Sequence, residues 1–169
     1  AKAVGEIAQE QGGAGFARAV PPEERAALWQ ARHDAYYAAL AMRPGRRGWR
    51  TDACVPISRL AECIVQTKAD IAASSLVAAL VGHVGDGNFH MIFPVDPDDP
   101  AEIAEAERLT DRLVERTLAM GGTCSGEHGV GVGKMKFLRQ EHGEGLDVMR
   151  AIKGTLDPQN ILNPGKLIP

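Results

Sequence analysis

The stretch "SLVAALVGHVGDGNFHMIFPV", residues 75–95, consists of two apolar runs on either side of an Asp-Gly pair. An Asp-Gly pair in this setting is a strong signal for a β-hairpin, because both residues accept the left-handed backbone of a type I′ turn. We therefore predict an antiparallel hairpin with Asp86 and Gly87 as its two-residue turn. The cross-strand pairs that this turn implies are His83 with His90, Val84 with Phe89, and Gly85 with Asn88.

The segments around the hairpin alternate between predicted helices and short extended stretches. Helical patterns cover residues 1–13, 21–42, 58–75 and 96–122, and two short helices precede the C-terminal tail. Residues 14–20 are predicted to form a short strand, and residues 50–57 are predicted to be extended. Residues 43–49, "RPGRRGW", are predicted to be a mobile loop. Since the clearest strand pair is antiparallel, we predict an α+β fold whose antiparallel sheet carries helices on one face.

The composition is that of one soluble globular domain, with 169 residues of which 44% are hydrophobic and 24% charged. The net charge of −3 comes from interspersed signs, so nucleic acid and anionic lipid are not expected partners. No apolar run approaches the ~20 residues of a transmembrane helix, and no signal peptide is visible. The three cysteines, Cys54, Cys63 and Cys124, are expected to be free thiols in a reducing, cytoplasmic location.

The hairpin places its two histidines where they can bind one ion. Directly opposed residues of a sheet share a face, with Cβ atoms ~4.5–5.5 Å apart, and two imidazoles at that separation can reach a common metal. Asn88 lies two residues before His90 and points to the same side. The alternative is that His83 and His90 are half-buried side chains that hydrogen-bond to the backbone or to water.

A third ligand is expected from "SGEHGVGVGK", residues 125–134. Glu127 and His128 are adjacent in this glycine-rich loop, so that one can bind a metal while the other stays free as a base. The alternative is a flexible polar loop without a site. The spacing of the glycines fits neither a phosphate-binding loop nor a dinucleotide fingerprint, because Met135 follows Lys134 and no third glycine stands at the required position.

Three motifs in this order resemble the C-terminal region of FAD-linked oxidases of the vanillyl-alcohol-oxidase type. They are "GHVGDGNFH", "GGTCSGEHGVGVGK" and "LDPQNILNPGKLIP". The resemblance is closest to the D-lactate and D-2-hydroxyacid dehydrogenases, which include D-2-hydroxyglutarate dehydrogenase and the glycolate oxidase flavin subunit. It implies that residues 1–122 are a ferredoxin-like substrate (cap) domain, truncated at its N-terminus. Residues 123–169 would be a metal and base loop with a helical tail that returns to a flavin domain upstream of this chain.

The resemblance also implies a role for individual residues in oxidation of a 2-hydroxy acid to a 2-oxo acid. FAD, held mostly by the upstream domain, would accept the hydride, and a divalent metal, zinc or manganese, would acidify the hydroxyl. The implied metal ligands are His83, His90 and Glu127; the base is His128; the substrate contacts are Arg32, Tyr36, Arg50 and Asn88; and the flavin contacts are Asn163 and Lys166. Arg32 and Arg50 have a simpler alternative as surface ion-pairing residues.

The implied partners are a small 2-hydroxy acid, with D-lactate favoured over a dicarboxylate, the flavin domain, and an electron acceptor such as a quinone, a cytochrome or an electron-transfer flavoprotein. The location would then be cytoplasmic or peripheral to a respiratory membrane. By itself the chain is expected to be inactive, because the electron acceptor is missing. Two other functions stay open from the sequence: a non-redox metal-binding or interaction module, and a metal-dependent hydrolase that activates water with Glu127 or His128.

Overall fold

A computed structural model describes residues 1–168 and contains six α-helices and four strands in that range. The helices are α1 (Lys2–Glu10), α2 (Pro22–Ala41), α3 (Ile57–Ala72), α4 (Pro100–Ala119), α5 (Leu138–His142) and α6 (Gly145–Leu156). The strands are β1 (Arg47–Arg50), β2 (Ala53–Cys54), β3 (Ala79–His83) and β4 (Asn88–Val95). Single 3₁₀ turns cover Val84–Asp86 and Met135–Phe137. The α+β class and the two short helices before the tail are confirmed.

The chain divides into two compact units, of which the first is Ala1–Ala38 and the second begins at Ala39. The first unit holds α1 and most of α2, and none of its residues, all of which the structure describes, is buried. The strand predicted over residues 14–20 is wrong, because that segment has no strand assignment and is almost entirely exposed. An isolated extended segment leaves its backbone without sheet partners, which explains why the apolar pattern alone does not produce a strand. The second unit contains the whole sheet.

The sheet is built around β4, which pairs antiparallel with every other strand. Strands β1 and β2 follow one another along one edge of β4, and β3 lies along the other edge. Residues 47–50 therefore form a strand, so the loop predicted for residues 43–49 is wrong at its C-terminal end. Trp49 fixes that strand, because its indole Nε1 donates a hydrogen bond to Thr110 Oγ1 of α4 at 3.0 Å.

The hairpin between β3 and β4 exists, but its register differs from the prediction by two residues. The connecting loop spans Val84–Gly87, with a 3₁₀ turn and a left-handed Gly87 at φ 74°. The observed pairs are His83 with Asn88, Gly82 with Phe89, and Val81 with His90. Because side chains alternate between faces with a period of two, a shift of two residues leaves each side chain on its predicted face. His83 and His90 become diagonal neighbours on one face instead of direct partners.

One face of the sheet packs on α3 and α4 and forms the main hydrophobic core. Strand β4 contributes every second residue to this core, and the two helices contribute one stripe each. Its buried members include Phe89, Met91, Phe93 and Val95 from β4, Leu60 and Cys63 from α3, and Ala106, Leu109 and Leu113 from α4. The prediction of helices on one face of an antiparallel sheet is confirmed. The other face of β4 is left for the residues of the candidate site.

Replacing Leu113 with alanine tests this core. Leu113 is 1% exposed, so Leu113→Ala should lower the free energy of unfolding by about 2–5 kcal/mol, since the lost methyl and methylene groups leave a cavity. Leu156→Ala is the matched control, because the same change at a side chain that is 75% exposed should cost less than about 0.5 kcal/mol. Urea denaturation of both variants measures the difference. Equal losses would contradict the assigned core.

Candidate functional site

The candidate site lies where the loop 123–134 crosses the face of the sheet opposite the core. Its first residue, Thr123, forms an isolated antiparallel bridge with Cys54 of β2, with a 2.9 Å hydrogen bond from the Thr123 N–H to the Cys54 carbonyl. At Gly126 the loop passes directly over the side chain of Asn88. A Cβ added at Gly126 would lie 2.5 Å from Asn88 Oδ1, so only glycine allows this approach. The loop thereby brings Glu127 above the histidine face.

Three predicted metal ligands converge at this point. Glu127 Oε1 lies 3.3 Å from His83 Nε2 and 2.8 Å from His90 Nε2, and the three ligand atoms lie within 4.8 Å of one another. Two ligands bound ~2.0–2.1 Å from a tetrahedral ion are about 3.3 Å apart. The distance between His83 Nε2 and Glu127 Oε1 equals this spacing, and the distance between His90 Nε2 and Glu127 Oε1 is shorter. The register shift therefore does not prevent convergence, since diagonal neighbours remain within reach of one another.

The orientation of His90 is set by the backbone of Thr51, in the segment between β1 and β2. His90 Nδ1 lies 3.1 Å from the carbonyl oxygen of Thr51, which can only accept a hydrogen bond. The neutral imidazole must then carry its proton on Nδ1 and a lone pair on Nε2. A histidine that binds a metal through one ring nitrogen typically donates a hydrogen bond from its other ring nitrogen to a carbonyl or carboxylate oxygen. His90 has this arrangement, with Nδ1 as the donor and Nε2 available to a metal.

Two buried polar atoms at the site have no hydrogen-bond partner among the described residues, namely His90 Nε2 and Asn88 Oδ1. Although His90 Nε2 lies close to Glu127 Oε1, the contact lacks the geometry of a hydrogen bond. Each of these atoms offers a lone pair, so an electron-pair acceptor is the species that would satisfy them. The donor set of two imidazole nitrogens and one carboxylate oxygen suits zinc or manganese.

His128, the predicted base, lies beside this cluster on its exposed side. Its Nε2 is 3.5 Å from Glu127 Oε1, its ring centroid is 5.3 Å from that of His90, and 56% of its side chain is exposed. Because His128 is the more exposed neighbour, it can exchange protons with a molecule that approaches the cluster from solvent. The structure thus places one predicted ligand, His90, in a buried position and the predicted base, His128, in an exposed one.

Sequence reasoning missed Asp52, which is the best-buried carboxylate at the site, with 4% exposure. It accepts hydrogen bonds from the backbone N–H groups of Glu127 and His128, at 3.1 and 2.9 Å to the same oxygen, and from Ser125 Oγ at 3.1 Å. Lys134 Nζ lies 3.4 Å from that oxygen. The sequence carried one signal that could have identified this residue, an aspartate within the extended segment "RTDACVPI". A carboxylate buried in such a segment requires hydrogen-bond donors around it.

The electrostatics of Asp52 follow from these contacts. Burial by itself raises the pKa of this carboxyl, but the backbone N–H groups of His128 and Glu127, the charge of Lys134 and the hydroxyl of Ser125 outweigh burial, and the net pKa is lowered. Asp52 is therefore ionised at neutral pH, and the anion rather than the acid makes these contacts.

The remaining predicted residues occupy three other places. Arg50 pairs with Ile92, which puts it on the same sheet face as His90, and it lines a groove of about 500 Å³ with Arg47 and Trp49. Arg32 and Tyr36 lie on α2 in the first unit, so their relation to the cluster stays a prediction.

Asn163 and Lys166 lie in the tail that follows α6. Asn163 has a left-handed backbone at φ 49°, and its carbonyl accepts a 3.2 Å hydrogen bond from the Lys166 N–H. The turn before them is held by Asp157, whose carboxylate accepts the N–H groups of Ile161 and Leu162, each at 2.9 Å. Their predicted contact with a flavin is not tested by this structure.

Helix α6 and the following tail present apolar side chains to the surface. The exposed residues are Val148, Met149, Ile152, Leu156, Ile161 and Leu162. Exposed apolar side chains grouped in this way are typical of surfaces that bind another protein or domain. Within residues 1–168, no helix combines the length and the low polarity that crossing a bilayer requires.

Comparison with known proteins gives one family and several relatives. Residues 1–167 match the model of FAD linked oxidases, C-terminal domain. The chain is 51% identical over 164 residues to a probable mitochondrial D-lactate dehydrogenase of Danio rerio, covering 96% of this chain and 33% of the relative. It is 49% identical over 167 residues to D-lactate dehydrogenase [cytochrome], mitochondrial, of Arabidopsis thaliana, covering 98% and 30%.

A third relative, from a bacterium, is named as a subunit of glycolate oxidase rather than as a D-lactate dehydrogenase. The glycolate oxidase subunit GlcD of Bacillus subtilis is 39% identical over 147 residues, which cover 86% of this chain and 31% of that protein. The chain therefore spans about a third of the length of each of these relatives.

The contact between Gly126 and Asn88 can be tested by adding a methyl group. Gly126→Ala should lower the free energy of unfolding by about 1–3 kcal/mol, because the loop or the Asn88 side chain must move. Gly133→Ala, in the same loop but with no atom within 4 Å of the added Cβ, should change it by less than about 0.5 kcal/mol. Urea denaturation compares the two, and equal effects would show that the loop does not lie on Asn88.

Proposed function

Because this chain belongs to the family of FAD-linked oxidase C-terminal domains, we propose that it supplies the substrate side of a flavin-dependent D-2-hydroxyacid dehydrogenase. The reaction is oxidation of a D-lactate-like 2-hydroxy acid to the 2-oxo acid. The observation that carries this proposal is the convergence of two histidines and a glutamate beside an accessible third histidine. The names of the relatives support the substrate class, and the site supports the chemistry.

His83, His90 and Glu127 are proposed to hold the divalent metal, zinc or manganese. Three protein ligands leave a coordination position for substrate, as in catalytic rather than structural zinc sites. When bound, the metal would supply Lewis-acid polarisation of the 2-hydroxyl group, and FAD would supply the hydride acceptor. The lone pair that Thr51 leaves on His90 Nε2 supports the assignment of this histidine as a ligand.

His128 is proposed to accept the proton of the 2-hydroxyl group on its Nε2 as C2 loses hydride. A base has to be within hydrogen-bond reach of the proton that it removes, and it has to be unprotonated at the working pH. The position of His128 next to the ligand Glu127, on the solvent side, supports this role. A histidine is suited to this role because a neutral imidazole has a ring nitrogen lone pair that can accept the proton.

The substrate carboxylate is proposed to bind Arg50, with Asn88 orienting the substrate oxygen. A guanidinium matches the planar carboxylate with two parallel donors. Arg50 lies on the same face of the sheet as His90, across from Ile92, which supports a substrate lying along this face. Arg32 and Tyr36 are proposed as further carboxylate contacts. A monocarboxylate such as D-lactate is proposed over a dicarboxylate.

A flavin-binding region is the proposed partner, and α6 with the tail is the proposed contact surface. The exposed apolar side chains of Val148, Ile152 and Leu156 support it, because such a surface is unfavourable in water. Asn163 and Lys166 would lie near the flavin. Residues 1–122 would be the substrate domain and residues 123–169 the metal loop and returning tail.

The electron acceptor is proposed to be a quinone, a cytochrome or an electron-transfer flavoprotein. A cytoplasmic location, peripheral to a respiratory membrane, stays a prediction, and the names of two relatives described above include the word mitochondrial. The family does not favour the two alternatives that the sequence left open, a non-redox metal-binding or interaction module and a metal-dependent hydrolase.

Metal analysis tests the ligand set. After reconstitution with zinc or manganese, the wild-type chain should hold about one ion per chain by elemental mass spectrometry, and the variant His83→Ala/His90→Ala should hold almost none. The variant His33→Ala/His142→Ala removes two histidines outside the cluster and should bind like the wild type. Loss of the ion in both variants, or in neither, would contradict the assigned ligands.

Flavin reduction tests the activity. In a chimera in which residues 1–169 replace the matching third of a D-lactate dehydrogenase relative, anaerobic D-lactate should bleach the flavin absorbance. His128→Gln should slow bleaching by about 100-fold or more with the flavin content unchanged, since a general base contributes about 10²–10⁴-fold. His33→Gln is the matched control. Bleaching at the same rate in the His128→Gln chimera would eliminate His128 as the base.

A further inference from the structure

We infer that Asp52 is the positioning residue that holds the ligand Glu127 and the base His128 in place before any ion binds. This inference rests on the proposed function for the roles of those two residues, and on the described contacts for the role of Asp52. Asp52 is separated from them by more than seventy positions in the sequence, since the hydrogen bonds join residues 75 and 76 positions apart. Its side chain connects the segment between β1 and β2 to the part of the loop that carries Glu127 and His128.

The loop needs such a tie because its own sequence provides little rigidity. Residues 125–134 contain four glycines and form no helix or strand that could fix the backbone. Each residue held in one conformation loses conformational entropy, and glycine loses the most. Interactions with the rest of the unit have to compensate. The hydrogen bonds from Glu127 N and His128 N to one carboxylate fix two successive peptide units next to the ligand.

The same carboxylate joins the two ends of the loop. Ser125 Oγ donates to it at 3.1 Å from the N-terminal end, and Lys134 Nζ contacts it at 3.4 Å from the C-terminal end. Lys134 Nζ also donates to the backbone carbonyl of Asp52 at 3.1 Å. A buried carboxylate is stable only when donors and a countercharge surround it. The conformation of the loop that satisfies Asp52 is therefore the one that places Glu127.

Thr51, the residue before Asp52, orients a second proposed ligand, His90. Thr51 orients the imidazole of His90 through its carbonyl oxygen, while its Oγ1 accepts the Met91 N–H at 2.9 Å. Thr51 and Asp52 thus fix one ligand on the sheet and one ligand on the loop from adjacent positions in the chain. Outer contacts that fix metal ligands typically change affinity by about 10–100-fold when they are removed.

The test uses Asp52→Asn, which keeps the size of the side chain but removes its charge and one acceptor. Asp70→Asn is the matched control, because Asp70 is also a poorly exposed carboxylate that pairs with Arg112 and Arg116 on α4 rather than with the loop. Two quantities are measured: amide hydrogen exchange at Glu127 and His128 in the metal-free protein, and zinc affinity by competition with a chelator.

For Asp52→Asn we expect exchange at the two amides to be at least about 10-fold faster and zinc binding about 10–100-fold weaker. Asp70→Asn should change neither quantity. Unchanged exchange at both amides in a folded Asp52→Asn protein would overturn the inference, and so would unchanged zinc affinity beside a wild type that binds zinc. A wild type that binds no zinc would instead refute the proposed ligand set, and the exchange rates alone would then decide the role of Asp52.

A milder variant guards against unfolding of Asp52→Asn. Ser125→Ala deletes a single donor to the Asp52 carboxylate and leaves the charge in place. It should speed exchange at Glu127 and His128 by about 2- to 10-fold, the effect of one hydrogen bond, while far-UV circular dichroism stays at the wild-type signal. Exchange identical to the wild type in Ser125→Ala, together with loss of folding in Asp52→Asn, would assign Asp52 to general stability and overturn the inference.

Discussion

Burial of β4 on both faces is the constraint from which the rest of the structure follows. All eight residues of this strand are buried, although only one face packs on the helical core. The other face includes Asn88 and His90, whose polar atoms are costly to remove from water without partners. The carbonyl oxygen of Thr51 is the partner of His90 Nδ1, whereas His90 Nε2 and Asn88 Oδ1 have no hydrogen-bond partner among the described residues. A polar cluster on a buried strand thus has to be specific in its geometry, and that specificity is what a metal site requires.

The two faces of β4 divide stability from chemistry. Phe89, Met91 and Phe93 fill the core against α3 and α4, so the strand has little freedom to move. His90 lies between Phe89 and Met91 in the sequence and points to the opposite face, so the same packing restricts the movement of its backbone. In the loop 123–134, Cys124 and Val130 pack in a smaller hydrophobic cluster with Val114 and Phe137, while the backbone of Glu127 and His128 is held by hydrogen bonds to Asp52. Two of the proposed ligands, His83 and His90, lie on the sheet, whereas the proposed ligand Glu127 and the proposed base His128 lie on the loop. The proposed ion would then be fixed by the sheet on one side and lie next to groups that can adjust to substrate.

The sequence predicted the faces of the sheet better than its pairing. The Asp-Gly signal located the turn, but the connecting loop has four residues, Val84–Gly87, instead of two. Asn88 therefore pairs with His83 rather than with Gly85. Each side chain stays on its predicted face of the sheet, because the register shift is an even number of residues. Asp52 was missed because its partners lie more than seventy positions away in the chain and two of them are backbone N–H groups, which carry no residue-type signal. The strand at residues 47–50 was missed because its stability comes from pairing with β4 rather than from local propensity.

We propose that His83, His90 and Glu127 bind one divalent ion. An X-ray absorption spectrum of the zinc-loaded protein tests it most directly, because the spectrum identifies the ligand atoms. With these three ligands, the spectrum should show only nitrogen and oxygen neighbours at ~2.0–2.2 Å, with the outer-shell scattering of two imidazoles. A sulfur neighbour at ~2.3 Å, which would implicate one of the cysteines, or a shell without imidazole scattering would contradict it.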